Sequence, residues 1–237
     1  MNKNLAVVIP VFNEENTIAD VVQEWSKILP SDTMDLLIVN DGSDDQTPKI
    51  LTKLKNTTHN LIIINKKNEG FGPAINTGYR FALKKKYEFI FQTDSDQQFS
   101  SKDFNLLWNN RLLDYQILIG NRKKRKDPIL RVFLSKIILR ILILLLFNKN
   151  IKDAGAPFRL IKADFLKYFI ESEEKDSTHP NVQMAIIANK ILTIDVDHFS
   201  RKHEQVSWPI MKLLIFGSKL MNDIYILRKK LKDQKFN

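Results

Sequence analysis

Apolar residues in the first hundred positions fall into short runs, separated by polar loops and by stretches of helical period. Leu5-Ala6-Val7-Val8-Ile9, ended by Pro10, reads as a buried strand. From Glu14 to Leu29, residues Ile18, Val21, Val22, Trp25, Ile28 and Leu29 share one helical face, with Asn13 as N-cap. Leu36 to Val39 is a second strand, then a polar cluster from Asn40 to Asp45 and a helix to about Lys55. Leu61 to Ile64 is a third strand, and Gly70-Phe71-Gly72-Pro73 precedes a helix from about Ala74 to Lys85. Phe89 to Phe91 is a fourth strand. This alternation predicts an α/β architecture, a mostly parallel sheet flanked by helices. Loops at the strand C-termini then gather Asn13-Glu14, Asp41 to Asp45 and Asp94 to Gln98 on one crevice.

Beyond Gln98 the pattern changes. Phe104 to Leu112 and Val182 to Asn189 look helical, Gln116 to Gly120 and Leu192 to Val196 look like strands, and Asp153 to Arg159 is a loop. Glu171 to His179 is polar and is expected to be mobile. Ile129 to Phe147 is apolar and long enough to span a bilayer, but Arg131, Lys136 and Arg140 argue against that. On a helical wheel Leu130, Phe133, Leu134, Ile137, Ile138, Ile141, Leu144 and Leu145 share one face and the cations the other. A helix lying in a membrane interface has that pattern, and so does a core helix packed on a sheet. Val206 to Leu231 is a second amphipathic helix, with Ser207 as cap, Pro209 in its first turn and Trp208 at its start. The chain is thus divided into a domain over 1–205 and a basic C-terminal helix over 206–237.

The chain has 237 residues, 43% of them hydrophobic, which suits one large domain. It has no cysteine, so disulfides, thiolate-bound zinc and a cysteine nucleophile are excluded. Met1 to Asn4 leads straight into the first strand, a start that predicts no secretory signal. The net charge of +10 is concentrated at Arg122 to Lys126 and at Arg228 to Lys230 with Lys232 and Lys235. Both runs adjoin apolar stretches, which points to an anionic membrane surface. No reader helix or aromatic–basic platform suggests nucleic acid as a partner.

Asp94-Ser95-Asp96, at the end of the fourth strand, is the strongest chemical signal. Paired carboxylates there suit Mg²⁺ or Mn²⁺ bound together with substrate phosphates, although the same triplet is frequent on solvated loops. Several motifs in register decide between these. Val8 to Glu15, Val39 to Asp45, Asn68 to Ala74 and the D-x-D with Gln98 together resemble the family 2 glycosyltransferases. Gly120-Asn121-Arg122 and Asp153 to Arg159 are similar to elements of the dolichyl-phosphate mannose synthase branch, which acts on polyprenyl phosphates.

The resemblance implies a GT-A (Rossmann-like) fold, a nucleotide-diphospho-sugar donor, a divalent metal and inversion at the anomeric centre. It implies nucleotide-sugar contacts from Pro10, Phe12, Asn13, Glu14, Asp41, Gly70, Gly72, Asp94 and Arg201, and metal ligation by Asp94, Asp96 and Gln98. It implies catalytic parts for Arg122 and Arg159 on phosphate, and for Asp153 as a general base or, with an ionised acceptor, as a positioning carboxylate. Asn40 stands where the family often has a second Asp, and His203 to Ser207 lacks a glycine usual after the late arginine. The resulting expectation is a peripheral enzyme on the cytoplasmic face of the cell membrane, moving a sugar from a UDP- or GDP-sugar to a polyprenyl phosphate. Transfer to a glycan hydroxyl in envelope biogenesis and a non-catalytic nucleotide-sugar-binding scaffold are the competing readings. Sugar, base, oligomeric state and pathway are left open.

Overall fold

The computed structural model of the protein describes residues 4–29, 32–123, 126, 132–172, 177–201 and 210–233. Its strands are β1 (Leu5–Val11), β2 (Met34–Asn40), β3 (Leu61–Asn65), β4 (Phe89–Gln92), β5 (Ile117–Arg122), β6 (Arg159–Lys162) and β7 (Ile191–Val196). They form one seven-stranded sheet in the order β3-β2-β1-β4-β6-β5-β7. Neighbours are parallel except at β6, which runs against both β4 and β5. The helices are α1 (Ile18–Ile28), α2 (Thr47–Thr57), α3 (Phe71–Lys84), α4 (Phe104–Trp108), α5 (Leu139–Phe147), α6 (Ala163–Ser172), α7 (Pro180–Ile187) and α8 (Ile210–Asp233). The α/β architecture expected from the alternation is the one found.

Side chains alternate across the sheet and feed two cores. Leu5, Val7, Ile9 and Val11 meet α1 and α4 on one face. Ala6 and Val8 meet α3 on the other, where side chains of α6, α7 and α8 complete the core. Ile224 and Leu227 bring α8 into that same core. Gly78 of α3 sits so close to β1 that an added Cβ would lie 2.3 Å from Val8 Cγ1. Alanine there gains ~1 kcal/mol in helix propensity but overpacks a core at a cost of about 1–3 kcal/mol. Val8 is fully buried and cannot yield. Gly78→Ala is therefore expected to lower stability in a denaturant titration, and an unchanged midpoint would refute the tight α3–β1 contact.

The crevice follows from one backbone detail. Val8 offers its carbonyl to Thr93 N on the β4 side, so Pro10, two residues on, faces the same way. Pro10 has no N–H to donate, and β4 has ended opposite Val8. The chain leaves the sheet there as the Asp94–Gln98 loop. The strand order reverses at this point, between β1 and β4, where open α/β sheets bind ligands.

Several boundaries differ from the sequence expectation. Helix α1 starts at Ile18 rather than Glu14, because residues 13–15 are tied to the next loop. Helix α3 starts at Phe71, with Gly70 at φ +93 before it. Strand β6 and helix α6 were not expected. In the segment expected to be mobile, α6 runs to Ser172, 177–179 form a bonded turn, and 173–176 lie outside the described residues. A wide π-type turn, Phe133–Ile138, leads into α5. There Leu139 and Ile143 face the core while Phe133, Ile137, Ile138, Ile141, Leu144 and Leu145 are exposed. Helix α5 thus packs on the core along one edge and leaves a broader apolar band exposed. Residues 129–131, 202–209 and 234–237, including Ser207 and Trp208, lie outside the described residues. Among the described residues no helix is long and apolar enough to cross a membrane.

Candidate active site

The loops after β1 and β2 interlock. Asn13 adopts φ +55, a left-handed conformation that asparagine tolerates. Its N–H donates to Ser43 Oγ at 3.0 Å, and its side chain exchanges hydrogen bonds with Asp44. Glu14 N donates to Thr47 Oγ1 at 2.9 Å, Glu15 N to Asp45, and Gln46 N to Glu15. Asp44 and Asp45 therefore fasten the first loop as well as opening α2. Phe12 is left 44% exposed on this loop.

Asp41 is buried and fastens the loop after β3. Its carboxylate accepts from Lys66 Nζ at 2.9 Å, Glu69 N at 3.1 Å and Gly70 N at 2.8 Å. Burial opposes the Lys66 charge, but Glu69 and Asp41 outweigh it and raise its pKa. Sequence reasoning missed Lys66, whose signal is a lone cation just past a strand end. The two glycines divide the work expected of them. A Cβ on Gly72 would lie 1.9 Å from the Ser177 carbonyl oxygen, so the close approach there is by the protein's own chain. A Cβ on Gly70 would meet nothing within 4 Å, so its side faces open space.

The acidic loop is built more tightly. Gln97 at φ +58 turns the chain so that Gln98 N donates to Asp96 Oδ1 at 3.1 Å. Asp96 Oδ2 accepts from Arg201 Nε at 3.0 Å and pairs with Nη2 at 2.9 Å. Gln98 holds Phe199 at both ends, its carbonyl accepting from Phe199 N at 2.9 Å and its Nε2 donating to Phe199 O at 3.2 Å. This pairing of residues 101 apart carries Arg201 onto the D-x-D loop, and nothing local in the sequence announces it. Glu14 lies against the same loop. Burial raises its pKa first, a hydrogen bond from Thr17 works against that, and the Asp96 charge adds to the rise.

A second cluster adjoins the first. Arg122, at the end of β5, grips Asp153 through Nε–Oδ2 and Nη2–Oδ1, both at 2.7 Å. Asp153 is 2% exposed, so both of its oxygens are committed to a buried pair. Lys136 of the π-type turn donates to the Arg122 carbonyl at 3.1 Å, tying that turn to the site. Arg159 is wholly buried and donates to the carbonyls of Ala154, Ala156 and Asn181. Burial pushes its pKa down to about 10, against the charges of Asp153 and Asp94 nearby. Arg159 thus shapes the 153–157 loop from within.

Glu14, Asp96, Gln98 and Arg201 are brought together, with Asp94, Asp153, Arg122 and Arg159 beside them. Asp41 and Gly70 form a neighbouring loop junction, Gly72 packs on Ser177, and Pro10 ends β1's pairing with β4. Among the described residues no group of three or more His, Cys, Asp or Glu could hold a metal ion. Two carboxylates and an amide oxygen are donor types that suit a hard cation, and of the three residues expected to supply them, Asp94, Asp96 and Gln98, the last two both lie beside Arg201. The Arg201 guanidinium lies against Asp96 Oδ2, with Gln98 Oε1 3.5 Å from Nε.

A mostly parallel seven-stranded sheet flanked by helices, with an acidic pair at its switch point, is a GT-A fold. The chain belongs to glycosyl transferase family 2, whose family model matches residues 6–169. It is 36% identical over 174 residues to an uncharacterised protein of Methanocaldococcus jannaschii, covering 69% of this chain and 73% of that one. It is 26% identical over 216 residues to the undecaprenyl-phosphate 4-deoxy-4-formamido-L-arabinose transferase of Photorhabdus laumondii, covering 90% of this chain. The chain spans 65% of that relative's length. Among solved structures, glucosyl-3-phosphoglycerate synthase of Mycobacterium tuberculosis, crystallised with Mn²⁺ and UDP-glucose, superposes with a TM-score of 0.69. That match has 15% identity and covers 96% of this chain and 79% of the other.

Proposed function

We propose that this glycosyltransferase moves one sugar from a UDP- or GDP-sugar to a polyprenyl phosphate, working as a peripheral protein on the cytoplasmic face of the membrane. The observation that carries the acceptor is the Arg122–Asp153 pair. A glycan hydroxyl must lose its proton as it attacks, and needs a free base. Both Asp153 oxygens are held by Arg122, whereas a lipid phosphate arrives already ionised and needs no base. The Photorhabdus relative, named for an undecaprenyl-phosphate acceptor, supports the same reading. So does the exposed apolar face of α5 next to Lys136, which suits a helix lying in the lipid interface.

In this reading an acceptor phosphate oxygen attacks the anomeric carbon, the bond to the β-phosphate oxygen breaks, and the nucleoside diphosphate leaves with inversion. Mg²⁺ or Mn²⁺ held by Asp94, Asp96 and Gln98 would neutralise the departing diphosphate as a Lewis acid. Phe12 packs on the base, Asp41 accepts from a base N–H, Glu14 accepts from a ribose hydroxyl, and Asn13 and Pro10 hold the loop that carries them. Gly70 leaves the open side of its loop to the donor. Arg201 and Arg122 steady phosphate oxygens, and Arg159 positions the loop that bears Asp153.

The experiment is transfer of radiolabel from defined UDP- and GDP-sugars to purified polyprenyl phosphate. Label appearing in the extracted lipid is expected. Label moving to no lipid phosphate, from any donor, would end the acceptor assignment.

Arg201 also carries a quantitative expectation. Its guanidinium supplies positive charge to Asp96, so a cation bound by that carboxylate would compete with it. Arg201→Ala should then bind Mn²⁺ about tenfold more tightly without nucleotide, since a charged hydrogen bond nets ~1.5–3 kcal/mol before discounting for its partial exposure. Turnover should fall in the same variant. Calorimetric titration with Mn²⁺ alone checks this, and an unchanged or weaker affinity would refute the competition.

A further inference from the structure

A cavity of about 520 Å³ lies between the C-terminal ends of α5 and α8 and the turn from α7 into β7. Strand β7 runs parallel to β5 and starts at this turn, so the cavity opens at the end of the sheet opposite the transfer crevice. Leu145, Leu146 and Leu231 line it together with Lys149, Arg228 and Lys232, and no acidic side chain among the described residues does. Lys149 Nζ donates to the carbonyls of Ile186 at 2.6 Å and Ala188 at 2.7 Å, which holds the ammonium in place with a third donor to spare. Arg228 Nε is buried with no hydrogen-bond partner among the described residues. The surface outside is apolar, with Ile141, Leu144 and Leu145 of α5 and Tyr225 and Ile226 of α8 exposed.

We propose that this cavity seats the headgroup of an anionic phospholipid, its phosphodiester against Arg228 and Lys149 and its acyl chains along the exposed face of α5. The seat rests on the peripheral-membrane part of the proposed function and adds a defined lipid contact remote from the chemistry. A guanidinium offers phosphate a planar fork, and an orphaned buried donor requires an acceptor. An inorganic anion would use the cations but leave the leucine lining and the apolar face uncovered. A second copy across a two-fold axis would bring Lys149, Arg228 and Lys232 of both chains against each other, a like-charge contact that disfavours such a dimer.

The test is co-sedimentation of the full chain with vesicles of phosphatidylcholine alone and of phosphatidylcholine mixed with phosphatidylglycerol. Wild-type protein should bind the anionic vesicles preferentially. Arg228→Gln should weaken that binding by about tenfold or more. Lys229→Gln, its exposed neighbour on the same helix, should cost roughly fivefold or less, as expected for a basic residue in diffuse contact with an anionic surface. Arg228→Lys keeps the charge without the fork and should fall between wild type and Arg228→Gln. Should Arg228→Gln fail to fold, Lys232→Gln, with its own loss expected to exceed that of Lys229→Gln, reads the same seat. Equal losses at 228 and 229 would overturn the seat while leaving general membrane binding intact. No binding to either vesicle would overturn the membrane reading and the seat with it. Inorganic phosphate that raises the melting temperature of wild type but not of Arg228→Gln, with no vesicle preference, would reassign the site to a soluble anion. A lipid-free dimer dissociated by Leu145→Glu would reassign the face to a second copy, and either result overturns the proposal.

Discussion

Asp153→Asn is expected to lower the stability of the fold by about 3–5 kcal/mol, the usual effect of removing one member of a buried ion pair. The amide can accept from one arm of the Arg122 guanidinium but returns no charge, so a buried cation is left partly unpaired. Total stability of a domain is ~5–15 kcal/mol, so the loss should be plain in a denaturant titration. Arg122→Met combined with Asp153→Leu should recover most of it, because an apolar pair of similar volume is often neutral in such a place. The double variant should nevertheless turn over poorly, since it lacks the arginine assigned to phosphate. Assayed well below its melting temperature, Asp153→Asn should retain measurable transfer to lipid phosphate. Abolished turnover with donor binding preserved would return Asp153 to the part of a general base, and the acceptor to a hydroxyl.

Asp96→Asn should instead spare the fold and strike the chemistry. An asparagine keeps an oxygen for Gln98 N or Arg201, so the loop survives. Losing one preorganised charge at a developing anion typically costs ~10²–10³ in rate, and that fall in kcat is expected here. Mn²⁺ affinity should drop in the same protein, with the midpoint of unfolding nearly unmoved. A second sign is electrostatic. Asp96 helps to raise the Glu14 pKa, so its neutralisation should lower that pKa. Wild-type turnover in Asp96→Asn would remove this carboxylate from the leaving-group machinery.

The first half of the fold was legible because its signals are local and repeated. Strands β1, β2 and β4 are buried along their whole length, and Leu5 to Ile9, Leu36 to Val39 and Phe89 to Phe91 within them read as continuous apolar runs. The helices between them carry one apolar face each, and the polar clusters fall at the strand ends. Strand β6 was not legible. It has four residues, begins with Arg159 and ends with Lys162, and exists because β4 and β5 each leave an edge for it. The start of α1 was misjudged because Glu14 and Glu15 spend their backbone N–H groups on Thr47 and Asp45. The acidic motif could be named from sequence, but its partners could not. Arg122 and Asp153 are 31 residues apart, and Arg201 reaches Asp96 across 105. A resemblance places such residues in one site without saying which of them grip each other. The long apolar segment was ambiguous for a physical reason: its helix is amphipathic within its apolar side, with Leu139 and Ile143 inward and a broader band outward.

Asp223, midway along α8, bears on how the protein can be trimmed. One of its oxygens lies 3.2 Å from Ser177 Oγ, 2.9 Å from Thr178 Oγ1 and 2.9 Å from His179 Nδ1. Ser177 in turn rests on Gly72, at the first turn of α3. A stop codon placed ahead of residue 223 would therefore not release a tidy soluble catalytic fragment. It would deprive three neighbouring side chains of their shared anchor, expose the core that Ile224 and Leu227 now cover, and loosen the packing behind the loop that leads into α3.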